Sequence, residues 1–413
     1  MPKKVLIFSV VYYPQFVGGA EVAVKEITDR LSTSDYEFHL IALRLNKDLP
    51  KEERFGNVFI HRIGFAGEMK ERADSLRFPL HYAKYFYPFL AAWKGWRLSR
   101  KHNFTFTWGL MANYSGFGAL FFKLLKPRIP FMLNLQEGDP PEYIEKTAFR
   151  VGTGKVRVPV HWFMRPVFRM IFKRADIITA LSNYLADWGK KNGFKGKPIV
   201  VPNGVDTKNF DIEILKSERL KIREELGIKE DDVALVTTSR LVVKNGVGDV
   251  VSSLSKLPEN IKFVILGEGY LKEELVALAS REKVSDRVIW VGFVPHEEMP
   301  KYLKACDIFI RPSLSEGFGN SFIEAMAARL PVIATPVGGI VDFLFDPSNT
   351  SGQAATGYFC KPENPESIAE VVKEIVVDPQ KQQIIETAYK MAKEKYDWDL
   401  VASQMNSVFK NIS

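Results

Sequence analysis

Arg311-Pro312-Ser313-Leu314-Ser315-Glu316-Gly317-Phe318-Gly319-Asn320-Ser321-Phe322-Ile323-Glu324-Ala325-Met326 is the stretch on which the fold turns. A short apolar strand, Ile308–Arg311, ends there, a loop of small residues follows, and a helix begins at Asn320 or Ser321. Such a loop offers backbone N–H groups, and a helix start carries partial positive charge, so phosphate or sugar oxygens are welcome. Glu316 lies in the loop and Glu324 about one turn into the helix, so both can approach one ligand from adjacent levels. A carboxylate accepts two hydroxyl hydrogen bonds well, which suits the vicinal hydroxyls of a hexose or ribose. The same residues also fit a plainer arrangement, with Glu316 capping the helix and Glu324 on a solvated face.

Outward from this stretch, strand-like and helix-like patterns alternate in both directions. Towards the N-terminus, strands are expected at Val233–Ser239, Lys262–Leu266 and Val288–Val291, with helices at Gly246–Leu257, Tyr270–Arg281 and Glu297–Lys304. Val332–Ala334 follows the stretch, and Pro365–Val376 and Gln380–Lys395 are the last helices expected before the C-terminal segment. A turn cluster, Pro202-Asn203-Gly204-Val205-Asp206, precedes this half. Before it lies a second alternation: strands at Lys4–Val11, Phe38–Leu45, Val58–Arg62, Phe131–Leu135 and Ala175–Ala180, with Pro198–Val201 closing the set. Its helices are expected at Gly18–Ser32, Pro79–Arg100, Tyr114–Lys126, Val160–Phe172 and Asn183–Asn192. The expected fold is therefore α/β, with two parallel-sheet, Rossmann-like domains facing across a cleft.

Length and composition agree. A chain of 413 residues with 46% hydrophobic content suits two globular cores. The two cysteines, Cys306 and Cys360, make no disulfide framework, which points to a reducing cytoplasm. The few His and Cys residues show no metal-ligand spacing, so no metal is expected. Met1–Val11 reads as a buried first strand, not a signal peptide, and no run reaches the ~18 apolar residues of a membrane span.

The net charge of +8 is uneven: +13 over residues 1–175 and −5 over the remainder. No acidic residue occurs between Asp74 and Glu137, where Arg77, Lys84, Lys94, Arg97 and Arg100 interleave with Phe78, Tyr82, Tyr85, Phe86, Phe89 and Trp93. Basic and aromatic side chains together suit a helix on an anionic membrane surface, with Lys94, Arg97 and Arg100 as contacts for membrane or acceptor. Amphipathic helices packed on a sheet would show a similar pattern. Nucleic acid is not expected, because no recognised binding motif accompanies the charge.

Glu316-x7-Glu324, with Gly317-Phe318-Gly319 and Glu324-Ala325-Met326-Ala327, resembles the signature of the family-four retaining glycosyltransferases (glycosyl transferases group 1). Further parts follow in the family's order: Gly18-Gly19-Ala20-Glu21, Arg174–Ser182, Pro202–Asp206, Ser239-Arg240-Leu241-Val242, Gly267-Glu268-Gly269, Pro331–Thr335 with Gly338-Gly339, and Gly357 with Pro362. The resemblance implies a GT-B fold and a nucleotide diphosphate sugar as donor. It divides the chain into an acceptor-side domain, 1–202 with about 396–413, whose C-terminal helix returns to it, and a donor-binding domain, 203–395. Glu324 would hold the ribose and Glu316 the transferred sugar, with backbone contacts from Gly317, Phe318 and Gly319, and Asn320 would be a further donor-binding residue. Arg240 would neutralise the diphosphate, Val294 would lie by the base, and Gly18 and Gly19 would form the glycine loop of the first domain. The acceptor would be a glycan or lipid-linked molecule, and the enzyme cytoplasmic, peripheral on the inner membrane face.

Two positions depart from the family. A Lys usually follows that Arg by five residues; here position 245 is Asn, so Lys244 or Asn245 would meet the diphosphate. Gln136 stands where the family commonly has His, which keeps positioning but removes titration near neutral pH. A non-catalytic nucleotide-sugar-binding protein and a GT-B epimerase are alternatives. A phosphorylase lacks its pyridoxal lysine motif here, and an NAD-dependent oxidoreductase lacks its three-glycine spacing.

Overall fold

The computed structural model describes residues 1–14, 18–64, 66, 83–139, 161–348 and 352–412. Val17, Arg77, Phe78, Tyr82, the expected helix start at 79–82, and Val160 lie outside the described residues. The chain divides into two compact units, Met1–Asn203 with Trp398–Ser413, and Gly204–Asp397.

In the first unit the strands are β1 (Lys3–Phe8), β2 (Tyr36–Leu43), β3 (Glu52–Phe55), β4 (Val58–Ile63), β5 (Phe104–Leu110), β6 (Phe131–Leu135), β7 (Ile177–Ala180) and β8 (Ile199–Val200). They form one sheet in the order β3-β4-β2-β1-β5-β6-β7-β8, parallel except for the β3–β4 pair. Helices α1 (Gly19–Arg30), α2 (Ala83–Leu98), α3 (Tyr114–Leu125), α4 (His161–Arg174) and α5 (Asn183–Lys191) connect them. β1 and β5 lie side by side at the centre, buried on both faces, so Val5-Leu6-Ile7-Phe8 is a continuous apolar run.

β5 is absent from the alternation expected from sequence. Its Phe104, Phe106, Trp108 and Leu110 alternate with Thr105, Thr107 and Gly109, a mixture that burial, not hydropathy, makes a central strand. β3 is a short, charged edge strand, which discourages pairing with another chain.

The second unit is one parallel sheet in the order β11-β10-β9-β12-β13-β14. Its strands are β9 (Val233–Thr238), β10 (Ile261–Leu266), β11 (Val288–Gly292), β12 (Ile308–Arg311), β13 (Val332–Ala334) and β14 (Tyr358–Phe359). Helices α6 (Thr207–Phe210), α7 (Lys216–Glu225), α8 (Val247–Ser253), α9 (Lys272–Arg281), α10 (Met299–Ala305), α11 (Asn320–Ala327), α12 (Pro365–Val377) and α13 (Lys381–Lys395) accompany it. β9 pairs with both β10 and β12, so the strand order reverses there, and the crevice beyond the strand ends is where such sheets take ligands. The same reversal occurs at β1 in the first unit.

Helix α14 (Trp398–Lys410) belongs to the first unit, as the returning C-terminal helix was expected to. Its Phe409 ring lies 5.1 Å from Phe106 and 5.3 Å from Trp108. Lys3 Nζ donates to the carbonyls of Phe409, Lys410 and Ile412, a cation satisfying the open end of a helix.

Candidate functional site

Three loops of the second unit, after β9, β12 and β13, press together at the strand reversal. Gly246 has φ +67°, and a Cβ there would fall 2.0 Å from Pro312 O. Leu314 N–H donates to Lys244 O at 2.7 Å, so the first two loops are joined. Gly338, at φ +57°, sits so close to Glu316 that a Cβ would meet its carbonyl oxygen at 1.9 Å. Gly339 N–H donates to that oxygen at 2.9 Å. Glycine is required at both turns because no side chain fits between the loops.

Glu316 is held from below by Arg311 at the end of β12. The buried guanidinium divides its donors among Ser313 Oγ at 3.2 Å, Ser321 Oγ at 2.7 Å and Glu316 Oε2. Its face lies 4.4 Å from the Phe322 ring centroid. Burial pushes the Arg311 pKa down, and the charges of Glu316 and Glu324 oppose that. Gly317 N–H donates to Glu316 Oε1 at 3.2 Å, so the carboxylate is oriented at both oxygens. Arg311 was not singled out from sequence; its charge at a buried strand end was the available signal.

Glu324 projects from α11 and its Oε1 lies 2.9 Å from His296 Nε2. His296, exposed on the segment after β11, is a second residue that sequence reading passed over. Buried Val294 lies two residues before it. Phe318 is buried against Phe343 and Tyr396, so its side chain is taken up by the core. Gly319, at φ +98°, caps α11, and Asn320 begins it.

Arg240 follows β9 and is exposed. The structure separates the two alternatives beside it. Asn245 is buried, and its side-chain amide donates to Arg240 O at 2.7 Å, so it braces the Arg240 loop and does not face outward. Asn245 therefore has a bracing role of its own beside the donor contact expected of it. Lys244 is half-buried on the same turn.

In the first unit, Gly18 caps α1 and its N–H donates to Glu21 Oε2 at 2.9 Å. Gly19 is exposed, with nothing within 4 Å of a Cβ position. Gln136, just beyond β6, is buried; its Nε2 donates to Asn134 Oδ1 at 2.5 Å and its Oε1 has no partner. Glu137 beside it accepts the Ala112 N–H at Oε1, while its Oε2 is buried without a partner. Burial pushes its pKa up to about 7. Buried polar atoms left unpaired at the ligand end of a sheet are candidates for substrate contact.

Lys94 does not stand clear for an anionic surface: its ammonium pairs with Glu52 at 2.8 Å. Arg97 and Arg100 lie over the rings of Trp93 and Trp96 at 5.0 and 4.1 Å. Phe86, Phe89, Leu90 and Trp93 are exposed on α2, as are Leu124 and Leu125 at the end of α3. Among the described residues, no helix is long and apolar enough to cross a membrane.

The family described as Glycosyl transferases group 1 matches residues 218–391, and Glycosyltransferase Family 4 matches residues 17–209. An uncharacterized glycosyltransferase of Methanocaldococcus jannaschii is 31% identical over 214 residues, covering 51% of this chain and 53% of its own. The alpha-monoglucosyldiacylglycerol synthase of Streptococcus pneumoniae is 26% identical over 333 residues, 79% of this chain and 70% of its own. The chain spans about half the length of most of the curated relatives it matches. Among solved structures, sucrose-phosphate synthase from Thermosynechococcus elongatus has a TM-score of 0.78 at 18% identity, covering 99% of this chain and 98% of its own. Anabaena Alr3699/HepE in complex with UDP-glucose has a TM-score of 0.73 at 18% identity, covering 98% and 99%. The fold is GT-B, and the chain belongs to the group 1 glycosyltransferases of the family-four kind.

Proposed function

We propose that this protein transfers a sugar, with retention and without a bound metal, from a nucleotide diphosphate sugar to an acceptor hydroxyl at a membrane surface. The observation that carries the reading is the pair of carboxylates, Glu316 braced by Arg311 and Glu324 beside His296, at the strand reversal that also bears Arg240. A carboxylate has about four acceptor positions. Glu324 therefore retains capacity for ribose hydroxyls beside its histidine contact, and Glu316 for hydroxyls of the transferred sugar. Arg240 and Lys244 supply the positive charge that the departing diphosphate needs. The N-terminus of α11 adds its partial charge.

In the reaction, the bond from the anomeric carbon to the phosphate oxygen breaks and one to the acceptor oxygen forms on the same face. The acceptor proton passes to the departing phosphate. Gln136 and Glu137 are assigned to positioning the sugar or acceptor, since a glutamine cannot carry a proton between them. The solved relative bound to UDP-glucose supports the donor class, and the diacylglycerol glycosyltransferase among the relatives supports a lipid acceptor.

The test is a thermal-shift screen against UDP-, GDP- and ADP-sugars, because a bound donor raises the melting temperature by mass action. One donor class is expected to shift it, and the product made from that donor should keep the anomeric configuration by NMR. An inverted product would remove the retaining mechanism; no shift with any donor would remove the donor site.

A further inference from the structure

Sequence spacing shows no metal motif, yet the fold gathers three of the chain's six histidines at the N-terminal end of the first sheet, opposite Gln136 and Glu137. Glu37 and His39 lie on β2, His61 on β4, and His102 just before β5. His39 Nε2 lies 2.7 Å from Glu37 Oε1, and His39 Nδ1 lies 2.9 Å from His61 Nε2. His61 Nδ1 in turn lies 3.3 Å from Glu52 Oε1. A line of contacts thus runs Glu37–His39–His61–Glu52, using every nitrogen of both rings.

The line is one proton short. Its three contacts each need a hydrogen, and two neutral imidazoles bring only two. Either end can carry the deficit, and each end has a cation beside it. Lys94 Nζ lies 2.8 Å from Glu52, while Lys4 Nζ lies 2.9 Å from Glu37 Oε1 and 3.5 Å from His102 Nδ1. Among the described residues, only the Glu37 end has a third ligand: one atom each of Glu37, His39 and His102 lie within 4.8 Å of one another. A tetrahedral ion with bonds of about 2.1 Å needs ligand atoms about 3.4 Å apart. The 2.7 Å between Glu37 and His39 and the 3.7 Å between Glu37 and His102 bracket that spacing.

We propose that Glu37, His39 and His102 bind a zinc ion, with one coordination position open to water. Two imidazoles and a carboxylate suit zinc better than magnesium or calcium, which prefer oxygen. With zinc on His39 Nε2, the His39 proton stays on Nδ1 and is given to His61, whose own Nδ1 proton is given to Glu52. Every contact in the line is then satisfied, and His61 and Glu52 orient the ligand from behind. The ammonium of Lys4 takes the cation's place in the metal-free chain and must swing aside. The site uses none of the residues assigned to the donor and lies at the end of the first sheet opposite Gln136 and Glu137, so sugar transfer is not expected to depend on it. Its expected effect is to fasten the start of β5 to β2.

The test uses the full chain without an affinity tag, stripped with chelator and titrated with zinc sulfate by calorimetry. One saturable zinc ion per chain is expected. Glu37→Gln and His102→Ala, both at part-exposed side chains, should weaken it at least about tenfold, while Lys4→Met, which removes the competing cation, should tighten it. Circular dichroism checks that each variant is folded; should His102→Ala fail that check, Glu37→Gln and Lys4→Met still decide. No saturable zinc, or affinity unchanged in the folded Glu37 or His102 variants, or weakened in Lys4→Met, overturns the proposal.

Discussion

The side-chain amide of Asn245 donates to the backbone carbonyl of Arg240 at 2.7 Å, so the residue at the position of the family's usual lysine braces the loop that presents the arginine. Asn245→Ala removes one of the two donors to that carbonyl, the Val242 N–H at 2.9 Å being the other, and is predicted to cost about 1 kcal/mol of stability and to weaken donor binding. Lys244→Ala is predicted to weaken donor binding with little change in melting temperature. Thermal melts and donor titrations of the two variants separate the roles; an unchanged melt for Asn245→Ala would remove the bracing role.

Glu316 and Arg311 form a largely buried pair, so truncating either weakens the hold on the other. Glu316→Ala is predicted to lower stability by about 2–3 kcal/mol as well as activity, because it leaves the guanidinium with two serine hydroxyls and the charge of Glu324 alone. Glu316→Gln keeps the shape and an acceptor oxygen, and is expected to lose turnover with a smaller stability loss. Comparing unfolding midpoints with kcat/KM checks this, and equal midpoints for Ala and wild type would contradict it.

Gly338→Ala tests the support from the third loop. Its Cβ would collide with Glu316 O in a left-handed conformation. The expected outcome is a loss of about 1–3 kcal/mol and a fall in kcat/KM as Glu316 is displaced. A crystal structure of the variant with Glu316 unmoved would refute that coupling.

Glu137 gives a pH dependence whose sign is fixed by burial. Its pKa is raised from 4.5 in the unfolded chain to about 7 in the folded one. Below about pH 4.5 the group is protonated in both states and costs nothing. As pH rises towards 7 the unfolded chain gives up its proton first, so stability falls, by about 3 kcal/mol once both states are ionised. Glu137→Gln is predicted to flatten this slope, measured by denaturant unfolding at pH 5 and pH 8; parallel losses in both proteins would exclude Glu137 as the cause.

The membrane reading predicts that Arg97→Glu with Arg100→Glu abolishes sedimentation with anionic vesicles at low salt. Lys94→Glu should chiefly destabilise, since Lys94 is already paired with Glu52. Undiminished sedimentation of the double variant would reject this surface.

Much of the second sheet was legible because β9, β10 and β12 are short, mostly apolar runs, and the Glu316–Glu324 stretch joins one strand to one helix. Arg311, His296 and the bracing by Asn245 were not, for a common reason: each acts through a partner that the fold, not the local pattern, brings near. β5 escaped notice because threonine and glycine dilute its aromatics. The Glu37–His39–His102 cluster is the extreme case, since its members meet only when β5 docks beside β1 and β2 beside β1 on the other side.

Helix α14, with Phe409 against Trp108 and its final carbonyls on Lys3, also sets an order of events during synthesis. Roughly two hundred residues of the second unit separate it from the rest of the first, and at ~5–20 residues per second the ribosome needs about 10–40 s to make them. Throughout that interval the emerging first sheet lacks the helix that covers Tyr36, Phe106 and Trp108, and its aromatic face stays open to chaperones or to neighbouring chains. The half translated first is therefore the half completed last.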